Sequence, residues 1–138
     1  MISEPSQNPT ESSAAVRSSI VVGYSSKAEG HAALTRAVSE AKLRGSELLV
    51  VHTEADVELE QLRAELVATG VPHEIRAATD ALDPAEELLN AAEERHADFI
   101  VIGLRRRSPV GKLLLGSNAQ RVLLDAACPV LAVKAEPS

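Results

Sequence analysis

The sequence is short of several things, and each shortage removes a class of protein. There is one cysteine, Cys128, and no CxxC pair. That excludes a disulfide scaffold and a zinc ribbon, and it fits a reducing cytoplasm. Tryptophan is absent, and Tyr24 and Phe99 are the sole aromatic residues. Nucleic acids are held by basic surfaces and, when single-stranded, by aromatic stacking platforms. A chain with a net charge of −6 and two aromatics offers neither, so no nucleic-acid partner is expected. No basic start leads into an apolar stretch, and no run of about 18 apolar residues occurs. Neither export nor a membrane anchor is expected, which leaves the cytoplasm.

What is present is one soluble domain's worth of material: 138 residues, 45% apolar and 25% charged, enough to bury a core without a covalent or metal staple. Residues 1–18, MISEPSQNPTESSAAVRS, hold five serines and two prolines, and Ile2 and Val16 as their large apolar residues. Such a segment does not repay the entropy of ordering and is expected to be a flexible tail, with the domain proper at 19–138.

From Ser19 onward, short β-branched runs alternate with amphipathic segments, the pattern of a parallel α/β architecture. Five strands and four helices are expected. The first strand, Ser19 to Tyr24, carries Ile20, Val21 and Val22 in a row, apolar on both faces, as a strand between two helix layers must be. Ser26 and Glu29 have capping-box spacing, Leu34, Val38 and Ala41 recur at helical spacing, and Gly45 supplies a left-handed stop. The second strand is Glu47 to Thr53, and Leu59, Leu62 and Leu66 mark the second helix. His73 to Ala78 is a more polar third strand suited to a sheet edge. Asp83 as N-cap, Pro84 at the first helical position and Glu86 open the third helix, with Leu88, Leu89 and Ala92 inward. The fourth strand spans Asp98 to Ile102. A loop from Gly103 to Gly116 holds three arginines, Lys112 and a Leu113, Leu114, Leu115 run. A short helix over Ser117 to Ala127 and a fifth strand over Pro129 to Lys134 close the chain.

Ligands of parallel α/β sheets bind beyond the carboxyl ends of the strands, where strand order reverses. If the first strand lies beside the fourth, the loop Gly23 to Lys27 faces the loop Gly103 to Gly116 across one crevice. Arg105, Arg106, Arg107 and Lys112 then gather at its mouth beside the helix N-terminus at Ser117, whose dipole favours anions. Two readings of that run stand: an anion-accepting wall and a solvated loop face. Tyr24 also has two, as an aromatic packed under the first helix and as a crevice wall.

The stretches IVVGYSSKAEGHAAL (Ile20 to Leu34), LVVHT and, above all, FIVIGLRRRSPVGKLLLGSNAQRVLLDAACPVLAVK (Phe99 to Lys134) resemble the universal stress protein family. The resemblance implies an α/β, single-domain, Rossmann-like fold: a five-stranded parallel sheet in order 3-2-1-4-5 with helices on both faces. It also implies a homodimer through the strand Pro129 to Lys134, and a stress-response module that binds ATP or a related nucleotide, with Mg2+ as a companion. The family's glycine pattern places Gly103 first and Gly116 with Ser117 last, while Arg106 stands where the second glycine belongs. Carried over in the same way, Ser25 stands in place of the family's Asp and Thr53 falls at the adenine side. The crevice reading adds Gly23, Tyr24, Ile102, Arg105 and Asn118 as candidate nucleotide contacts, with Arg107 and Lys112 as candidate phosphate contacts.

The departures have physical consequences. Glycines in a phosphate loop let amide groups approach the anion, which an arginine side chain hinders. An arginine fork can instead clamp phosphate directly. Other motifs fail: Leu113 follows Gly111 and Lys112 where a P-loop needs Ser or Thr, and no Gly-x-Gly-x-x-Gly follows the first strand. His31, His52, His73 and His96 lack ligand spacing and read as structural, and Cys128 reads as a small packing residue. Three functions therefore stand: a nucleotide-binding sensing module, a dimeric partner-binding scaffold without nucleotide, and a slow ATP hydrolase. The last lacks a general base, since neither crevice loop carries Asp or Glu; no catalytic residue and no metal ligand is assigned.

Overall fold

The computed structural model describes residues 18–52, 59–78, 83–105 and 116–135. Residues 1–17 of the expected tail and the sites Thr53, Arg106, Arg107 and Lys112 lie outside the described residues, while Ser18, given to the tail, accepts the Glu47 N–H at 2.9 Å. The elements are β1 (Ser19–Tyr24), α1 (Ala28–Arg44), β2 (Glu47–His52), α2 (Leu59–Thr69), β3 (His73–Ala77), α3 (Pro84–Arg95), β4 (Phe99–Leu104), α4 (Ser117–Asp125) and β5 (Val130–Lys134). All strand pairs are parallel and the order is β3-β2-β1-β4-β5, as the family resemblance implies.

Strand side chains alternate between two cores because successive Cβ atoms point to opposite faces. Ile20, Val22, Leu48, Val50 and Val101 pack with Ala33, Leu34 and Ala37 of α1 and Leu62 and Leu66 of α2. Val21, Leu49, Val51, Ile100 and Ile102 pack with Ala85, Leu88 and Ala91 of α3 and Val122 of α4. Burial on both faces explains why the central strands read as continuous apolar runs rather than as alternating ones.

Local signals set several boundaries. Gly45 ends α1 with φ 66°. Asp83 caps α3, its Oδ1 accepting the Glu86 N–H at 2.9 Å, with Pro84 in the first turn. At the sheet edge, the β3 residue Arg76 donates to Glu94 of α3 at 3.1 and 3.2 Å, so the polar third strand spends its charges on the helix beside it.

The structure corrects four readings. The expected Ser26 capping box is not how α1 begins: Lys27 is its N-cap, without a side-chain capping bond, and the Lys27 N–H donates to Ser25 Oγ at 3.3 Å. β4 continues to Leu104 because β5 pairs with it through Lys134, so Gly103 belongs to a strand and not to a loop. The short helix stops at Asp125, and in α3 Leu89 is half-buried while Ala85 and Ala91 are enclosed.

Candidate functional site

β1 pairs with β2 on one side and β4 on the other, so the chain leaves their carboxyl ends in opposite directions and a crevice opens there. A cavity of about 330 Å³ occupies it, within the range of small-molecule sites. Gly23, Tyr24 and Ser25 come from the end of β1, Ile102 and Gly103 from β4, and Asn118 from α4. Those six predicted site residues are brought together. Of the other described ones, Arg105, Gly116 and Ser117 are exposed and outside the lining.

Two close main-chain approaches fix the walls. A Cβ on Gly103 would stand 1.9 Å from the Glu29 carbonyl oxygen, and one on Gly30 would stand 2.2 Å from the Ser25 carbonyl oxygen. Only hydrogen fits at either place, so the first turn of α1 lies directly on β4 and on the turn that leaves β1. Across the cavity, Arg121 of α4 binds Asp83 at 3.1 Å and Glu86 at 3.2 Å, which ties α4 to the start of α3.

Three helices thereby present their N-termini to one cavity. α1 contributes Lys27, Glu29 and Gly30, α3 contributes Pro84, and α4 contributes Asn118 and Ala119. The first-turn N–H groups of a helix have no intrahelical acceptor, and the aligned peptide dipoles place partial positive charge there. Such an end accepts anions.

Sequence reasoning missed Glu29. It read this residue as half of a capping box and found no carboxylate in either crevice loop. The fold brings Glu29 into the lining, and its Oε1 is buried without a hydrogen-bond partner among the described residues. The signal was local and pointed elsewhere; only the contact between α1 and β4 reveals the placement.

Tyr24 satisfies both of its readings. It is buried under α1, its ring meets His31 edge-on at 5.3 Å, and it walls the cavity. It also borders a smaller cavity of about 140 Å³ with His31, Gln61 and Glu65. His73 Nδ1 lies 2.8 Å from the Val71 carbonyl oxygen, and His96 ends α3 at φ 50°. Among the described residues no three His, Cys, Asp or Glu side chains cluster as a metal site would need. Cys128 is half-buried, and that burial pushes its thiol pKa up.

Comparison with known proteins decides the family. A sequence model of the universal stress protein family matches residues 53–134. A universal stress protein of Mycolicibacterium smegmatis is 46% identical over 126 residues, covering 83% of this chain and 96% of that protein. The chain belongs to the universal stress protein family. Among solved structures, a universal stress protein from Archaeoglobus fulgidus superposes with a TM-score of 0.68 at 32% identity, covering 86% of this chain and all of that one. Another structure, the universal stress protein from Archaeoglobus fulgidus in complex with dAMP, has a TM-score of 0.63 at 27% identity and covers 86% and 99% of the two chains. Within the family frame, Gly103 plays a steric part: its missing Cβ makes room for main chain. Among the described residues no helix is long and apolar enough to cross a membrane.

Proposed function

We propose that this universal stress protein binds a nucleotide in the cavity between β1 and β4 and works in the cytoplasm by binding rather than by turnover. The observation that carries the reading is the convergence of three helix N-termini on one cavity of about 330 Å³, a placement that suits the phosphate end of a ligand. A relative at 27% identity was solved with dAMP, which supports the same ligand class. Gly23, Tyr24, Ser25, Ile102, Gly103 and Asn118 are the proposed contacts. Gly116 and Ser117 directly precede Asn118 and would lend main-chain amides, and Arg105 directly follows β4 and would lend its guanidinium. Among the described residues no three His, Cys, Asp or Glu side chains are placed to hold a metal ion, so magnesium would arrive with the phosphates rather than on a site of its own.

Calorimetric titration with ATP, ADP, AMP and cyclic AMP, with and without magnesium, tests the proposal. Micromolar binding of any of them supports it. The absence of heat with all four overturns it and leaves the scaffold reading.

A second reading accompanies the first. β5 forms one edge of the sheet, and Val130, Leu131, Ala132 and Val133 are only half-buried in the single chain. An open apolar edge invites pairing, and a two-fold homodimer across this strand would cover it. Sedimentation equilibrium giving the mass of a monomer at micromolar concentration would reject that dimer.

A further inference from the structure

The start of α1 breaks a local rule, and the residue that breaks it lines the cavity. N-cap positions favour Ser, Thr, Asp, Asn and Gly, because a short side-chain oxygen there accepts one of the helix's free N–H groups. α1 has Lys27 at its N-cap, without a side-chain capping bond. A lysine offers no acceptor, and its ammonium meets the positive end of the helix dipole, where a carboxylate would be favoured. Ser25 and Ser26 precede it, so a capping hydroxyl stands one residue away and the helix nonetheless begins on a cation. Nothing among the described residues offsets the misfit. Lys27 is exposed, its main-chain N–H donates to Ser25 Oγ, and its side chain makes no ion pair or hydrogen bond within the described chain, the Glu29 carboxylate included. Lys27 is the one cation in the described lining of the cavity between β1 and β4, and its flexible stem lets the ammonium reach a ligand there. Departures from local preference concentrate where function requires them.

We infer that Lys27 is a specificity-determining contact to the phosphate chain of the bound nucleotide, kept at the expense of the helix it starts, and that it selects nucleoside polyphosphates over monophosphates and nucleosides; the inference rests on the function proposed above. Coulomb attraction grows with the charge of the partner. ATP carries more negative charge than AMP, and adenosine carries none, so a cation at the wall ranks the three in that order. Asn118 in the first turn of α4 lines the same cavity as Lys27, which lets a phosphate chain extend from one to the other. A monophosphate is too short to use both ends fully, whereas a triphosphate gains from each.

Titrations of ATP, AMP and adenosine into the full chain, Lys27→Ser and Lys27→Arg, with and without magnesium and at low and high salt, test this alongside thermal melting. In Lys27→Ser the affinity for ATP falls about tenfold at low salt, as expected for a lost hydrogen bond between charged groups. The affinity for AMP falls less, that for adenosine is unchanged, and the ATP gap narrows as salt screens the charge. Tm of the unliganded Lys27→Ser variant rises by about 3 °C, because the helix gains a capping hydroxyl and loses an opposed charge. Lys27→Arg keeps the charge and the ranking of the three ligands. Equal ATP affinity in wild type and Lys27→Ser overturns the inference and leaves nucleotide binding standing. An equal loss on all three ligands makes Lys27 structural, a loss as large in Lys27→Arg as in Lys27→Ser takes the charge out of the account, and a Tm that stays level or falls removes the misfit; each also overturns the inference. A wild type that binds none of the three overturns the underlying function as well.

Discussion

Gly103→Ala adds one methyl group where β4 meets the first turn of α1. The new Cβ would stand 1.9 Å from the Glu29 carbonyl oxygen and 2.5 Å from its carbonyl carbon. Both are main chain, so no side chain can swing aside. The contact must open to the ordinary 3.4 Å by lifting α1 from the sheet, and Ala33 and Leu34, buried on that helix, lose contact as it moves. Forced overpacking of this kind costs about 2 to 3 kcal/mol, which lowers Tm by about 10 °C in a domain of this size. Two other glycines calibrate the result. Gly45 has φ 66° and nothing within 4 Å of an added Cβ among the described residues, so Gly45→Ala reports left-handed strain alone, about 1 kcal/mol. Gly116 is the N-cap of α4 with φ −69° and no described atom within 4 Å of an added Cβ, so Gly116→Ala reports the N-cap preference alone, about 1 kcal/mol or less. Urea unfolding followed by circular dichroism measures all three. A Gly103→Ala variant no less stable than Gly45→Ala would refute the packing argument, and nucleotide binding that survived unchanged in Gly103→Ala would sever the glycine from the cavity.

Asp83→Ala removes both the acceptor for the Glu86 N–H and one partner of Arg121; a loss of about 1 kcal/mol in urea unfolding is expected, with α4 still held through Glu86. Arg106→Ala, at the position where the family pattern has glycine, is expected to weaken phosphate-ligand binding in a salt-sensitive way; equal affinities at low salt would reject a side-chain clamp. Because burial pushes the Cys128 thiol up, less thiolate is present near neutral pH in the folded chain than in the unfolded one. Alkylation by iodoacetamide should therefore be slower in buffer than in urea, the gap closing as pH rises, and equal rates at neutral pH would contradict the burial.

The layers of the fold were legible because each signal is local or periodic. Ile20, Val21 and Val22 in a row announce a strand enclosed on both sides, and Asp83 followed by Pro84 announces a helix start. The polar His73 to Ala77 segment announces an edge. Strand order is a matter of which elements meet, and it came from the resemblance to a family rather than from periodicity. Ser26 and Glu29 show why the site was read only in part. Their spacing satisfies a capping rule, but the tight contact of Gly30 with Ser25 reshapes the turn, so that Lys27 takes the N-cap and Glu29 enters the crevice. Arg105 shows what geometry adds: β4 runs further than its apolar run suggests, so Arg105 directly follows the strand, exposed and outside the cavity lining, and it would have to reach in from the rim to meet a phosphate.

The place of Tyr24 also has a spectroscopic consequence. The chain has one tyrosine and no tryptophan, and that tyrosine stands in the wall of the cavity between β1 and β4 with the His31 ring against its edge. All phenol emission from the folded molecule therefore originates at the crevice, with no indole to swamp it. A ring that enters beside Tyr24 quenches the entire signal rather than a fraction of it, so the unlabelled protein carries its own optical gauge of occupancy.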